Sequence, residues 1–199
     1  MKPPAEPEYI QEINIEVKNN ETGHKLLYMN DISFRANYNN PILLLANAGN
    51  TSYPDDPQWN VYNFGKNSSV RIVLINTTPL FHPIHMHGHN FWVLAEGVGQ
   101  WDGTVVNPEN PMRRDTQMLL AADGETPAYM VIEFETDNPG VWPLHCHIAW
   151  HSAGGMYLNI IEHPEEIEKM KIPEQFVEGC RAWWKYTGSE VVNQIDSGV

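Results

Sequence analysis

The sequence predicts an all-β fold, a sandwich or barrel of short strands with short helices confined to the C-terminal end. Three observations predict it. The apolar segments are strand length: the longest compact apolar run is ILLLA, Ile42 to Ala46, and others such as INIEV and YMVIEFET alternate apolar with polar residues. Turn signals rich in Asn, Gly, Pro and Asp recur every ten or so residues, the spacing of a sandwich or barrel. Helical signals, with proline in the first turn and acids near the N-terminus, occur only at Pro164 to Met170 and Pro173 to Gly179. A chain of 199 residues suits one domain, and 42% hydrophobic with 11% aromatic residues supplies its core.

In order, MKPPAEPE is a proline-rich, acidic lead-in. INIEV (Ile13 to Val17) is a half-buried strand and KNNETGHK a turn. LLYM, and ILLLA after Pro41, are candidate strands, and Asn47 to Gln58 is a loop. VRIVLIN (Val70 to Asn76) is a strand, followed by the turn TTPLFHP. FWVLAEG (Phe91 to Gly97), TQMLL and YMVIEFET (Tyr129 to Thr136) are strands, the first two separated by the long loop GQWDGTVVNPENPMRRD. After the turn DNPG, VWPLHC and MYLNIIE (Met156 to Glu162) are the last two. No internal repeat is present.

A net charge of -13 and a pI near 5.0 argue against nucleic-acid and anionic-membrane partners, since no basic patch is there to release counterions. No run approaches the roughly 18 apolar residues of a membrane helix, and MKPPAEPEYI has no apolar signal core behind its lysine. Four glycosylation sequons, at Asn20, Asn50, Asn67 and Asn76, point instead to a secreted protein whose natural N-terminus lies upstream.

Function is written in two blocks, HPIHMHGH (His82 to His89) and HCHIAWHSAGGM (His145 to Met156), which hold seven of the nine histidines and one of the two cysteines. Two imidazoles, one thiolate and a distant thioether define a blue-copper site, and His82, Cys146, His151 and Met156 supply that set. Cys146 ends a strand, His151 follows on a loop, and Met156 begins the next strand. Zinc sites use paired ligands at regular spacing, which one cysteine among seven histidines does not match. His85 with His87, and His145 with His147, are spaced so that an extended chain points each pair to one face. The pair flanking Cys146 points away from its sulfur and can ligate a second centre, one peptide away from the first. His24 and His163 have no such company.

These motifs resemble the two C-terminal copper motifs of multicopper oxidases, and among them of laccases. NPMRRD (Asn110 to Asp115) and TDNPGVW (Thr136 to Trp142) are similar to the laccase third domain, and Ala149-Trp150 and the terminal Asp196-Ser-Gly-Val to its ascomycete branch. The resemblance covers roughly residues 25 to 199. It implies a Greek-key β-sandwich of cupredoxin type: residues 1–24 as linker and lead-in strand, 25–163 as the cupredoxin domain with the type 1 copper site, and 164–199 as a helical extension and tail. It implies His82, Cys146 and His151 as type 1 copper ligands, His85 as a type 2 ligand, and His87, His145 and His147 as type 3 ligands. Cys146 with His145 and His147 forms the electron path. Met156 stands at the axial position, where that branch usually has leucine; a coordinating Met favours a lower potential. His89 has no ligand role in the pattern and is read as a supporting histidine.

The activity implied is one-electron oxidation of phenols or aromatic amines coupled to reduction of dioxygen to water, with Trp150 either lining the substrate pocket or packing in the core. The remaining cluster ligands of the family come from HxH pairs of a first domain, and this chain has no HxH pair outside the two blocks. The expectation is therefore a third-domain part of a longer enzyme whose first and second cupredoxin domains are partners. Cys180 pairing with Cys146 would destroy the blue site. Cys180 is either a free thiol or, as the resemblance implies, half of a disulfide to the first domain. The DSGV tail resembles the C-terminal plug of ascomycete laccases; the plainer reading is an ordinary terminus. The alternatives are a single-copper electron carrier, against which the four extra histidines argue, and a multicopper oxidase for metal ions, bilirubin or ascorbate.

Overall fold

Eleven strands and four helices follow one another in the computed structural model, which describes residue 2 and residues 6–188. The strands are β1 (Tyr9–Asn19), β2 (Lys25–Met29), β3 (Val61–Gly65), β4 (Ser69–Asn76), β5 (His82–Met86), β6 (Phe91–Val98), β7 (Met112–Arg114), β8 (Thr116–Leu119), β9 (Ala128–Glu135), β10 (Gly140–Cys146) and β11 (Tyr157–Glu162). The helices are α1 (Ile42–Asn47), α2 (Ala149–Ala153), α3 (Pro164–Ile167) and α4 (Glu174–Thr187).

The strands form two sheets, one in the order β2-β1-β4-β9-β6-β7 and one in the order β3-β11-β10-β5-β8. Pairing is antiparallel except for β1 with β4 and β11 with β3. The chain changes sheet at every step from β2 to β6 and again at every step from β7 to β10, so most sequence neighbours face each other across the core. Alternation within the strands builds that core. Ile13 and Ile15 of β1, Val70, Ile72 and Leu74 of β4, and Met130, Ile132 and Phe134 of β9 point inward from the larger sheet. Ile84, Met86, Leu144, Leu158 and Ile160 meet them from the other. Cys146 and Met156 belong to the same cluster, so one end of the hydrophobic core is also one wall of the candidate site.

Several elements differ from the sequence expectation. ILLLA is not a strand but α1, which packs Ile42 and Ala46 against Ile161 and Ile167. Its Asn47 amide donates to the carbonyls of Ile167 and Met170. A short apolar run has no periodicity to separate helix from strand. VYNFG, hidden beside the 47–58 loop, is the edge strand β3, and the MRR of NPMRRD is β7. The helical signal at 164–170 yields only one turn, whereas that at 173–179 extends through Thr187. The segment from Ala149 to Ala153 is a helical turn rather than loop, so His151 lies on α2, and Met156 sits immediately before β11.

Gly155 closes the connection from α2 to β11 with φ +106, a backbone region that side chains disfavour. A Cβ there would lie 2.6 Å from the Leu27 carbonyl oxygen and collide with the Ser33 hydroxyl. Gly155→Ala is expected to destabilise the chain by roughly 2–4 kcal/mol, read as a lowered urea midpoint; an unchanged midpoint would contradict this account of the turn.

Candidate metal centre

β5 and β10 are antiparallel neighbours, with His145 opposite His85 and Cys146 opposite Ile84. Because side chains alternate along both strands, each strand serves two faces. His82 and Cys146 point into the sandwich and are fully buried. His85, His87, His145 and His147 lie on the opposite face, partly or fully exposed.

On the inner face, α2 brings His151 to the other two donors. His82 Nδ1 lies 3.1 Å from His151 Nδ1, and Cys146 Sγ lies 3.8 Å from the first and 3.5 Å from the second. An ion held by imidazoles at about 2.0 Å and a thiolate at about 2.3 Å in a trigonal plane needs N···N near 3.5 Å and N···S near 3.7 Å. The triangle fits such an ion with shifts of a few tenths of an ångström. Met156 is buried beside it, its N–H on the His151 carbonyl and its carbonyl on the Cys146 N–H.

The ring of His82 is oriented from behind. Its Nε2 meets Thr78 Oγ1 at 2.8 Å, and that hydroxyl donates to Asn76 Oδ1. With Nε2 as the donor, the Nδ1 lone pair faces the site, the arrangement a metal requires. Burial pushes the His82 pKa down to about 4, with the neighbouring His151 charge adding to it. Burial also lowers His151, and it pushes the Cys146 thiol up to about 11. At neutral pH the imidazoles are neutral and the sulfur carries its proton.

On the outer face the four imidazoles form one cluster. His87 Nε2 is 3.1 Å from His145 Nε2, and His85 has ring centroids at 4.8 Å from His87, 5.7 Å from His145 and 5.8 Å from His147. His85 Nδ1 sits 2.8 Å from the Asp115 carbonyl and 3.0 Å from Thr116 Oγ1. His145 Nδ1 sits 2.8 Å from the Cys146 carbonyl. Both contacts engage Nδ1, and His145 turns its Nε2 toward His87. Burial, followed for His145 by a backbone contact acting the other way, lowers the pKa of His87 and His145, and neighbouring histidines add to this.

Sequence reasoning missed the supporting residues. Thr78 and Thr116 carry no motif signal, and Asp115 was legible only as the end of NPMRRD. Asn76 was readable only as a sequon, yet it is fully buried, and its amide donates to the carbonyls of Leu80 and Leu120. Tyr157 stacks on His145 at 5.4 Å. His89 does support the structure: its Nε2 lies 2.8 Å from Glu162 Oε1, a buried contact joining the turn between β5 and β6 to the end of β11. Burial acts to lower its pKa, but the contact with Glu162 and then its charge together outweigh this and raise it. Trp150 is 83% exposed and so is not a core residue. Both cysteines are free thiols among the described residues, Cys146 buried and Cys180 half-buried. The DSGV tail lies outside the described residues.

A β-sandwich whose inner face gathers two imidazoles and one thiol beside a methionine defines a cupredoxin-type copper domain. The multicopper oxidase family model matches residues 6–166, and the chain belongs to that family. Laccase-2 of Podospora anserina is 34% identical over 193 residues, covering 86% of this chain and 30% of that protein. The laccase structure from Botrytis aclada superposes with a TM-score of 0.80 at 26% identity, covering 100% of this chain and 36% of that one. Fet3p, described as a multicopper oxidase that functions in iron import, has a TM-score of 0.77 at 28% identity, with coverage of 92% and 37%. The chain thus spans about a third of the length of each.

The lowered imidazole pKa values fix a pH response of the metal-free chain. The unfolded chain protonates its histidines near 6.5, whereas folded His82 resists until about 4. The stability contributed by His82 is therefore full above 6.5, falls as pH drops through that window, and is lost below about 4, a loss of roughly 3 kcal/mol. Urea unfolding across this range is expected to show the loss, and His82→Gln to reduce it; equal pH slopes in the two chains would contradict it.

Proposed function

We propose that the chain binds type 1 copper through His82, Cys146 and His151, with Met156 axial, and contributes His85 to a type 2 and His87, His145 and His147 to a type 3 copper. In this reading it works within a laccase-like oxidase that takes single electrons from phenols or aromatic amines and delivers four to dioxygen, releasing water. The observation that carries the reading is the two-faced strand pair: a thiol-containing donor triangle on one side and four imidazoles on the other, joined through Cys146 and its two peptide neighbours. Bound copper supplies the redox chemistry, and the protein sets its geometry and potential.

The chain's own residues divide the remaining work. Thr78 and Asp115 orient His82 and His85. Trp150, beside His151, with exposed Leu80 and Phe81 leading into His82, offers an apolar rim suited to an aromatic donor. That rim favours aromatic substrates over the metal ions suggested by the likeness to Fet3p. The exposed imidazoles meet the remaining cluster ligands from the first domain of such an oxidase, and Cys180 on α4 is the proposed disulfide partner of that domain. The second domain completes the enzyme.

Copper titration with the visible spectrum tests the reading. One blue copper per chain is expected, with about one proton released, from Cys146, because the imidazoles are already neutral. Oxygen consumption is expected only once the first two domains are added. A single blue copper with no oxygen reduction even then would leave an electron carrier, and a chain taking up no copper in either state would overturn both readings.

The proposal includes secretion and glycosylation, supported by the sequons. Asn76 is sealed by its hydrogen bonds, Asn20 Oδ1 accepts from Thr22 and His24, and Asn67 Nδ2 donates to Phe64. Asn50 is exposed. Peptide mass mapping of chain secreted from a fungal host is expected to find glycan on Asn50 and none on Asn76; glycan on Asn76 in folded chain would contradict it.

A further inference from the structure

The contact that joins the two faces of the site runs through a residue outside the ligand set. Cys146 N–H donates to the Met156 carbonyl, so the β10–β11 ladder reaches this point. The reciprocal bond of an antiparallel pair would take Met156 N–H to the Cys146 carbonyl. Met156 N–H goes instead to the His151 carbonyl, which closes the α2 turn. The Cys146 carbonyl is thereby released from that ladder bond, and two side chains take it. Ser152 Oγ donates to it at 2.5 Å, and His145 Nδ1 lies at 2.8 Å. Ser152 Oγ and His145 Nδ1 are themselves 3.1 Å apart. Ser152 is buried, and it follows His151 directly on α2.

We propose that Ser152 is a positioning residue that links the two copper sites, its hydroxyl holding the His145 ring as the Nδ1–H tautomer against the Cys146 carbonyl. The physical reason is a count of donors and acceptors. A carbonyl offers two lone pairs. The hydroxyl proton occupies one, and its oxygen presents a further acceptor toward His145 Nδ1. An imidazole flanked by two acceptors keeps its proton on that nitrogen. Nε2 then keeps its lone pair toward His87 and the open cluster. The same hydroxyl ties α2, and with it His151, to the end of β10. A displacement of His151 on the inner face is thus felt at His145 on the outer face through one side chain.

The inference rests on the proposed role of His145 as a type 3 ligand, and the test separates the two. The metal-free full chain, labelled with 15N histidine, is studied by long-range proton–nitrogen correlation near neutral pH. Wild-type His145 is expected to show a single Nδ1–H tautomer. Ser152→Ala is expected to lose that single pattern, with the Nε2–H form appearing, and Ser152→Thr, which keeps the hydroxyl, to restore it. A merely structural role would leave the tautomer of folded Ser152→Ala unchanged, and that result overturns the proposal. So does a wild-type His145 in the Nε2–H form, a reading that holds even where Ser152→Ala does not fold. Oxygen consumption after the first two domains are added judges the ligand assignment separately: none, with the expected tautomers, removes the type 3 role while leaving Ser152 as the residue that sets the ring.

Discussion

The side-chain alternation of one antiparallel strand pair governs this molecule. Residues two apart share a face, so β5 and β10 sort their donors without further instruction. His82 and Cys146 enter the core, while His85, His87 and His145 leave it. A register slip of one residue would reverse both sets and place the thiol among the exposed imidazoles. The core therefore does more than stabilise. Ile84, Met86 and Leu144, buried in phase with the inner donors, pin the register that keeps the thiol triangle and the exposed imidazoles on opposite faces.

Alternation aims side chains only within a strand, and the remaining precision comes from hydrogen bonds behind the ligands. Thr78 and Asn76 turn His82, Asp115 and Thr116 turn His85, and the Cys146 carbonyl with Ser152 turns His145. Each contact fixes which nitrogen keeps its lone pair, and orientation of this kind commonly changes metal affinity by roughly 10–100-fold. Burial adds to it. Desolvation keeps His82 and His151 neutral, so the metal-free triangle stands with open lone pairs and no internal charge repulsion.

The parts legible in the sequence were those with a short period. The HxH spacing and the cysteine between two histidines state the two faces of the site, because a period of two has one structural meaning in a strand. INIEV and YMVIEFET were legible for the same reason. ILLLA was not, since five consecutive apolar residues fit a strand or a helix, and only packing against Ile161 and Ile167 decides for α1. Nor was the role of Asn76, whose sequon and whose buried amide make opposite claims. Ser152 and Thr78 gave no signal because their work is set by partners that meet only in three dimensions. The tie between His89 and Glu162, 73 residues apart by their numbers, is of the same kind.

The central claim is that Cys146 joins His82 and His151 in one copper site on the inner face, apart from the imidazoles outside. Adding one equivalent of copper to the chain and to Cys146→Ser, followed by visible absorption and electron paramagnetic resonance, tests it most directly. The account predicts an intense blue band and a narrow copper hyperfine splitting in the parent chain, both lost in Cys146→Ser. It further predicts that the variant still binds copper through its histidines with an ordinary tetragonal signal. The same blue signal in both chains, or its absence from the parent chain at full copper occupancy, would contradict it.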